Sequence, residues 1–268
     1  MPQPAISVQL YSLRDHLQVD PQGTLARVRQ MGISRVEPFA FAADADGLAD
    51  RLRGAGLTAT SGHEAFLEES ISFGGRTIQV PPRPVIFAAA RRLGMRYVIQ
   101  PAATDWSSRE AVDGIAARLR DSAREAADFG LTVGYHNHWW ELQARVDGRV
   151  GLEYLAEVTP DEVIFEVDVY WAAVGGVDVP ALLRRLGDRV RALHVKDGPV
   201  IAPPSFDAET DPLTYGQLPA GRGAVDLHGC LDAASSAELA VLEFDAFDGD
   251  VFAALEEGAD FLRSRGLT

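Results

Sequence analysis

Short apolar, β-rich runs alternate along this chain with longer segments whose apolar residues recur at helical spacing. The runs that predict strands are residues 6–13 (ISVQLYSL), 35–39, 57–63, 96–102, 131–138 (LTVGYHNH), 163–171 (VIFEVDVYW), 190–197 (VRALHVKD) and 240–247 (AVLEFDAF). Between them lie amphipathic stretches such as DPQGTLARVRQMG, RPVIFAAARRLG and SREAVDGIAARLRDSAREAADFG, several of them ending at a glycine. Asp20 followed by Pro21 predicts an N-cap and a first helical turn. Eight strand-then-helix units imply parallel strands joined by helical crossovers. The expected fold is an α/β (β/α)8 TIM barrel forming a single domain over residues 1–268. An open doubly wound sheet is the competing arrangement. It is disfavoured because no Gly-x-Gly-x-x-Gly follows the first strand.

The two arrangements also differ in where chemistry lies. In a barrel, functional side chains come from the C-terminal ends of several strands and converge on one mouth. Here polar residues do sit at successive strand ends: Glu37, His63, Gln100, His136, His138, Glu141, Asp168, His194, Lys196 and Glu243. Two long connections, 66–84 and 198–223, follow the third and seventh strands and are expected to overhang that mouth.

Composition then narrows the function. A length of 268 residues suits one large domain, and 47% hydrophobic residues supply its core. The apolar runs are strand-sized, too short to span a bilayer, and no secretory leader is expected, so no membrane partner and a cytoplasmic location are the expectations. A single cysteine excludes an internal disulfide framework and any multi-cysteine metal site. A formal charge of −14 argues against nucleic acid as a partner. A small-molecule carbohydrate is the expected partner, and homo-oligomer formation stays open.

Period-two alternation puts Glu166 and Asp168 on one face with Tyr170, His194 with Lys196, and Glu243 with Asp245. Carboxylates within apolar strands are costly to bury, by several kcal/mol each, unless a cation sits among them. Carboxylate and imidazole donors suit Mn²⁺, Mg²⁺, Co²⁺ or Zn²⁺. The expected metal ligands are Glu141, Asp168, His194 and Glu243, and this oxygen-rich set favours Mn²⁺ or Mg²⁺ over a structural zinc. His138 is a competitor for the place of Glu141. Glu166 reads as a structural partner inside the barrel, and Asp245 as a loop or N-cap residue.

YHNHWWEL (135–142), FEVDVYWAAVGG (165–176), LHVKDG (193–198), GRGAVD (221–226) and VLEFD (241–245) occur in this order. In them the chain resembles the sugar phosphate isomerase/epimerase group of xylose-isomerase-like barrels, over nearly its whole length. The resemblance implies a divalent-metal barrel with Glu, Asp, His and Glu ligands, positions matched by Glu141, Asp168, His194 and Glu243. It implies proton removal from carbon beside a carbonyl, through a metal-stabilised enediolate. Glu141 and Glu243 are the matching acid–base pair, with His136 or His138 as the alternative base. His63, His136, Trp171 and Lys196 are the expected substrate-binding residues. The expected function is a sugar isomerase or epimerase acting on a ketose or related keto-sugar. The alternative is an inosose dehydratase or 3-keto-glycoside lyase on the same site. Further behind stand an abasic-site endonuclease and a non-catalytic sugar-binding barrel. The Gly221–Gly223 backbone offers part of a phosphate cradle, but no strong phosphate motif is present.

Overall fold

The structure is a computed structural model that describes residues 3–73, 76–203 and 212–268. Nine parallel strands form its central sheet: β1 (Ala5–Gln9), β2 (Arg35–Glu37), β3 (Thr58–Ala59), β4 (Ser61–His63), β5 (Tyr97–Gln100), β6 (Thr132–His136), β7 (Ile164–Asp168), β8 (Val190–Val195) and β9 (Leu239–Leu242). They are ordered β3-β2-β1-β9-β8-β7-β6-β5-β4. The expected third strand is one run interrupted at Thr60, which yields β3 and β4. A parallel bridge from Phe39 to His63 brings the two ends of the sheet together, so the barrel is nearly closed.

Helices occupy the crossovers as the periodicity predicts. Asp20 caps the helix Pro21–Gln30, its side chain accepting from the Gly23 amide. Ser108 and Asp250 do the same for Arg109–Asp128 and Val251–Ser264. At Gly56, φ is +67°, the left-handed turn that ends the helix Ala45–Ala55. The main apolar core lies between the outer strand faces and these helices.

The barrel interior holds a second, smaller cluster of Tyr97, Ile99, Ile164, Ala192, Leu239 and Val241. Gly134 belongs to this layer: a Cβ there would come within 2.6 Å of Ile99 Cδ1 and 2.9 Å of Ile164 Cγ1. The plug therefore closes only around a glycine. Above it, at the C-terminal strand ends, the inward positions become polar. The register pairs Gln9 with Glu37, Glu166 with His136, and Asp168 with His194.

Several expected strand ends differ. The run 163–171 stops as a strand at Asp168, and Val169–Val174 is a helix. Asp168 itself causes the change, because its Oδ1 accepts from the Trp171 amide at 2.8 Å and caps that helix. The connection after the third strand contains a two-stranded antiparallel hairpin, Ser70–Phe73 with Arg76–Gln79. Part of the expected 198–223 loop falls outside the described residues. The part that is described is fastened by Asp197, whose carboxylate accepts from the amides of Gly198, Gly221, Gly223 and Val225 at 2.8–3.1 Å.

Candidate metal centre at the barrel mouth

Strands β2, β4, β6, β7 and β8, with the residues just past β9, deliver Glu37, His63, His136, Glu166, Asp168, His194, Lys196 and Glu243 to one buried layer. One ligand atom each from Asp168, His194 and Glu243 can lie within 4.8 Å of the others, and a second such group is His63, His136, Glu166 and His194. The two groups share His194. His136 Nε2 is 3.9 Å from Asp168 Oδ2, so the groups are adjacent.

Three of the four expected ligands are thus brought together; Glu141 is not among them. It lies in the short helix Trp140–Gln143, and its carboxylate is taken up locally. Tyr135 donates its hydroxyl to Oε1 at 2.8 Å and the His138 amide donates to Oε2 at 2.9 Å. Tyr135 is on the opposite face of β6 from His136, by strand alternation. Glu141 is thus engaged by these two donors, and burial pushes its carboxyl up to about 8. His138 is pushed down to about 3, first by burial and then by Lys196, and so is a neutral imidazole stacked on Trp140 at 4.3 Å.

Glu37, one of the polar strand-end residues, lies against the histidines. Its Oε1 is 2.7 Å from His194 Nε2 and accepts from Gln9 Nε2 at 2.9 Å, and Ser61 donates to its Oε2. Gln9 and Ser61 had no place in the expected site. The available signal for them was strand parity, which aligns Ser7 with Gln9 and Ser61 with His63. Glu166, read from the sequence as a structural partner, has Oε2 at 2.5 Å from His63 Nε2, 3.1 Å from His194 Nε2 and 3.3 Å from His136 Nδ1, and so also belongs to the second candidate metal group.

His194 connects the layers, with Nε2 on Glu37 and Nδ1 2.6 Å from Glu243 Oε2. Burial alone would lower the basicity of His194, but Glu166 and Glu243 outweigh it and raise it well above the ordinary value. Burial would raise Glu243, and Lys196 and His194 hold it well below the usual carboxylate range instead. Asp168 is pushed up to about 6, chiefly by burial. Lys196 Nζ lies 2.9 Å from Asp168 Oδ2, 2.8 Å from Glu243 Oε2 and 2.9 Å from Asp245 Oδ2. Asp245 is therefore part of this charge network, and it also accepts from Trp171 Nε1 and Gln217 Nε2.

The donor set fits a cation. Asp168 Oδ2, Glu166 Oε1 and His136 Nδ1 are buried and accept or donate no hydrogen bond. Lys196 stands close to Asp168 Oδ2 but makes its aligned bond to Asp245. Five carboxylates, counting Asp245, face one lysine and three imidazoles, a donor set rich in carboxylate and imidazole. The possible phosphate cradle at 221–223 is not available as such, because both glycine amides donate to Asp197.

Residues 25–265 match the family described as xylose isomerase-like TIM barrel, and the chain belongs to that family. No curated protein matches at a significant level. Among solved structures the chain is similar to a sugar phosphate isomerase/epimerase from Parabacteroides distasonis, at TM-score 0.78 and 18% identity, covering 98% of this chain and 95% of that one. It is similar to an L-ribulose 3-epimerase at TM-score 0.67 and 18% identity, covering 98% and 94%. It is also similar to an IolI protein with a bound zinc atom at TM-score 0.68 and 14% identity, covering 97% of each chain. These likenesses establish the fold. No described helix is long and apolar enough to cross a membrane.

Proposed function

We propose that this protein is a divalent-metal-dependent isomerase or epimerase acting on a ketose or related keto-sugar by proton transfer beside the carbonyl. The observation that carries the reading is the meeting of Asp168, His194 and Glu243, buried together with ligand atoms within 4.8 Å of one another and with Lys196 as the neighbouring cation. His136 takes the fourth place in this reading, because its Nε2 faces Asp168 while Glu141 is engaged elsewhere. Two imidazoles and two carboxylates suit Mn²⁺, Co²⁺ or Zn²⁺ better than Mg²⁺, and Mn²⁺ is the ion proposed first. A bound divalent ion supplies charge stabilisation to oxygen as negative charge develops on the substrate carbonyl.

The chain's own groups divide the remaining work. His194 gives its Nε2 proton to Glu37, which fixes the ring and leaves Nδ1 for the ion. Glu243, kept ionised beside Lys196, removes the proton from carbon. Lys196 holds positive charge over the oxygen that gains electron density, and its Nζ stands 5.9 Å from the Trp171 ring centroid. His138, neutral and with Nδ1 unpartnered, accepts from a substrate hydroxyl. Glu141 acts through His138 by holding its amide, and is a positioning residue in this reading. His63 lies below, stacked on His194 at 5.1 Å, and shapes the floor of the site.

The test is a screen of ketoses, inososes and 3-keto-glycosides with Mn²⁺ in deuterated solvent. Wild type is expected to exchange a carbon-bound proton of its substrate. Glu243→Gln is expected to lose about 10²–10⁴-fold in turnover while keeping its circular dichroism. Equal turnover in the variant removes Glu243 from the mechanism. Sugar binding without exchange would turn the reading toward a binding protein.

A further inference from the structure

A cavity of about 590 Å³ lies at the other end of the strands from the metal centre. It opens where β1, β2, β5, β8 and β9 begin, and its lining includes Arg35, Arg96, Arg191, Thr60, Ser235 and Glu238. Three guanidiniums face one carboxylate here, on a chain whose formal charge is −14.

Glu238 is fully committed. It pairs with Arg96 at 2.6 Å and lies 3.8 Å from Arg191. It also bears on the Tyr97 phenol, which burial and then this carboxylate push up to about 12. Arg35 has no hydrogen bond or ion pair for its side chain among the described residues. It opens β2 two positions before Glu37, so both face into the barrel, one at each end. Ala5, Ala237 and Leu239 line the same cavity, and Leu239 belongs to the interior plug. An inward guanidinium without a counter-charge, beside two others that share a single acid, is an incomplete ionic arrangement.

We propose that this cavity binds a compact oxyanion carrying two negative charges. Planar guanidinium forks match carboxylate and phosphate oxygens in pairs. The hydroxyls of Thr60 and Ser235 line the same cavity and add donors. The volume falls in the range of small-molecule sites. Only the strands connect this site with the mouth, and it does not depend on the reaction proposed there.

The test follows inorganic phosphate by ³¹P NMR and succinate by calorimetry on the full chain, at low and high salt. Saturable binding of one equivalent is expected, weakening with salt. Arg35→Ala and Arg191→Ala should each weaken it about tenfold, the value of one charge-assisted contact. Glu238→Gln should move it the other way, tightening it up to about fivefold by removing the competing acid. Metal uptake at the mouth should be unchanged in all three variants, which reports that they fold. Succinate binding with this variant pattern, and none by phosphate, supports the site and assigns it to dicarboxylates. Absence of binding by either anion overturns the proposal. So does binding that ignores all three substitutions, which would place the anion at the mouth.

Discussion

Gly134 and Glu64 illustrate how single positions are set by what surrounds them. In Gly134→Ala the new methyl would meet two isoleucine side chains from neighbouring strands at less than contact distance. The expected cost is about 1–3 kcal/mol, read as a lower urea midpoint with unchanged slope. Glu64 is buried, accepts from the Ala42 amide at 2.9 Å, and is pushed by burial from 4.5 up to about 7. Between those two values the folded chain binds more protons here than the unfolded one. Stability from this group is therefore full below about pH 4.5 and falls as pH rises through 7, by about 2–3 kcal/mol. Glu64→Gln keeps an acceptor for Ala42 and removes the charge. It should be more stable than wild type at pH 8 by about that amount, and equal to it at pH 4.5, in paired urea titrations. A constant difference across this range would show that Glu64 does not titrate there.

Among the elements, the barrel strands were legible because inward and outward residues alternate and glycines punctuate the helices. That pattern put Asp168, His194, Lys196 and Glu243 at the mouth before any coordinates. Two things were not legible. The segment VYWAAV carries the β-branched and aromatic residues of a strand, yet Asp168 caps it into a helix, a choice made by one side-chain hydrogen bond. Glu141 follows the strand by only three residues past His138, but the turn carries its carboxylate to Tyr135 on the other face. The part of Glu37 was hidden for a different reason: its partner His194 is 157 positions away, and no local pattern reports that pairing. The described ends of the connection after β8 are fastened by Asp197, which accepts from Gly198, Gly221, Gly223 and Val225. Asp197→Ala would free four amides, and the segment should be cut faster by about ten- to a hundredfold in limited proteolysis, with strand and helix content unchanged. Equal cutting rates would show that other contacts hold the loop.

For the molecule as a whole, the mouth concentrates buried acids and bases in one layer. Five acids meet there with three imidazoles, and Lys196 is the one ammonium that pairs with Asp168, Glu243 and Asp245. An ion that binds only the folded chain should raise its melting temperature by about 5–10 °C at a hundred times its dissociation constant. The check is a thermal scan with Mn²⁺, Co²⁺, Zn²⁺ and Mg²⁺ in turn, against a chelator. His136→Ala should reduce the shift, whereas Glu141→Gln should leave most of it, which separates the two candidates for the fourth ligand.

Arg35 and Glu37 sit two residues apart on one short strand, with unlike signs at its two ends. Arg191 and the acid-rich residues beyond β8 and β9 repeat that order. The barrel is thus polarised along its axis, with its apolar plug acting as the insulator between the plates of a small capacitor. A cation approaching from bulk water meets an attractive potential on one side of the molecule and a weaker or opposing one on the other. The same axis therefore favours a cation at the carboxylate end and an anion at the guanidinium end.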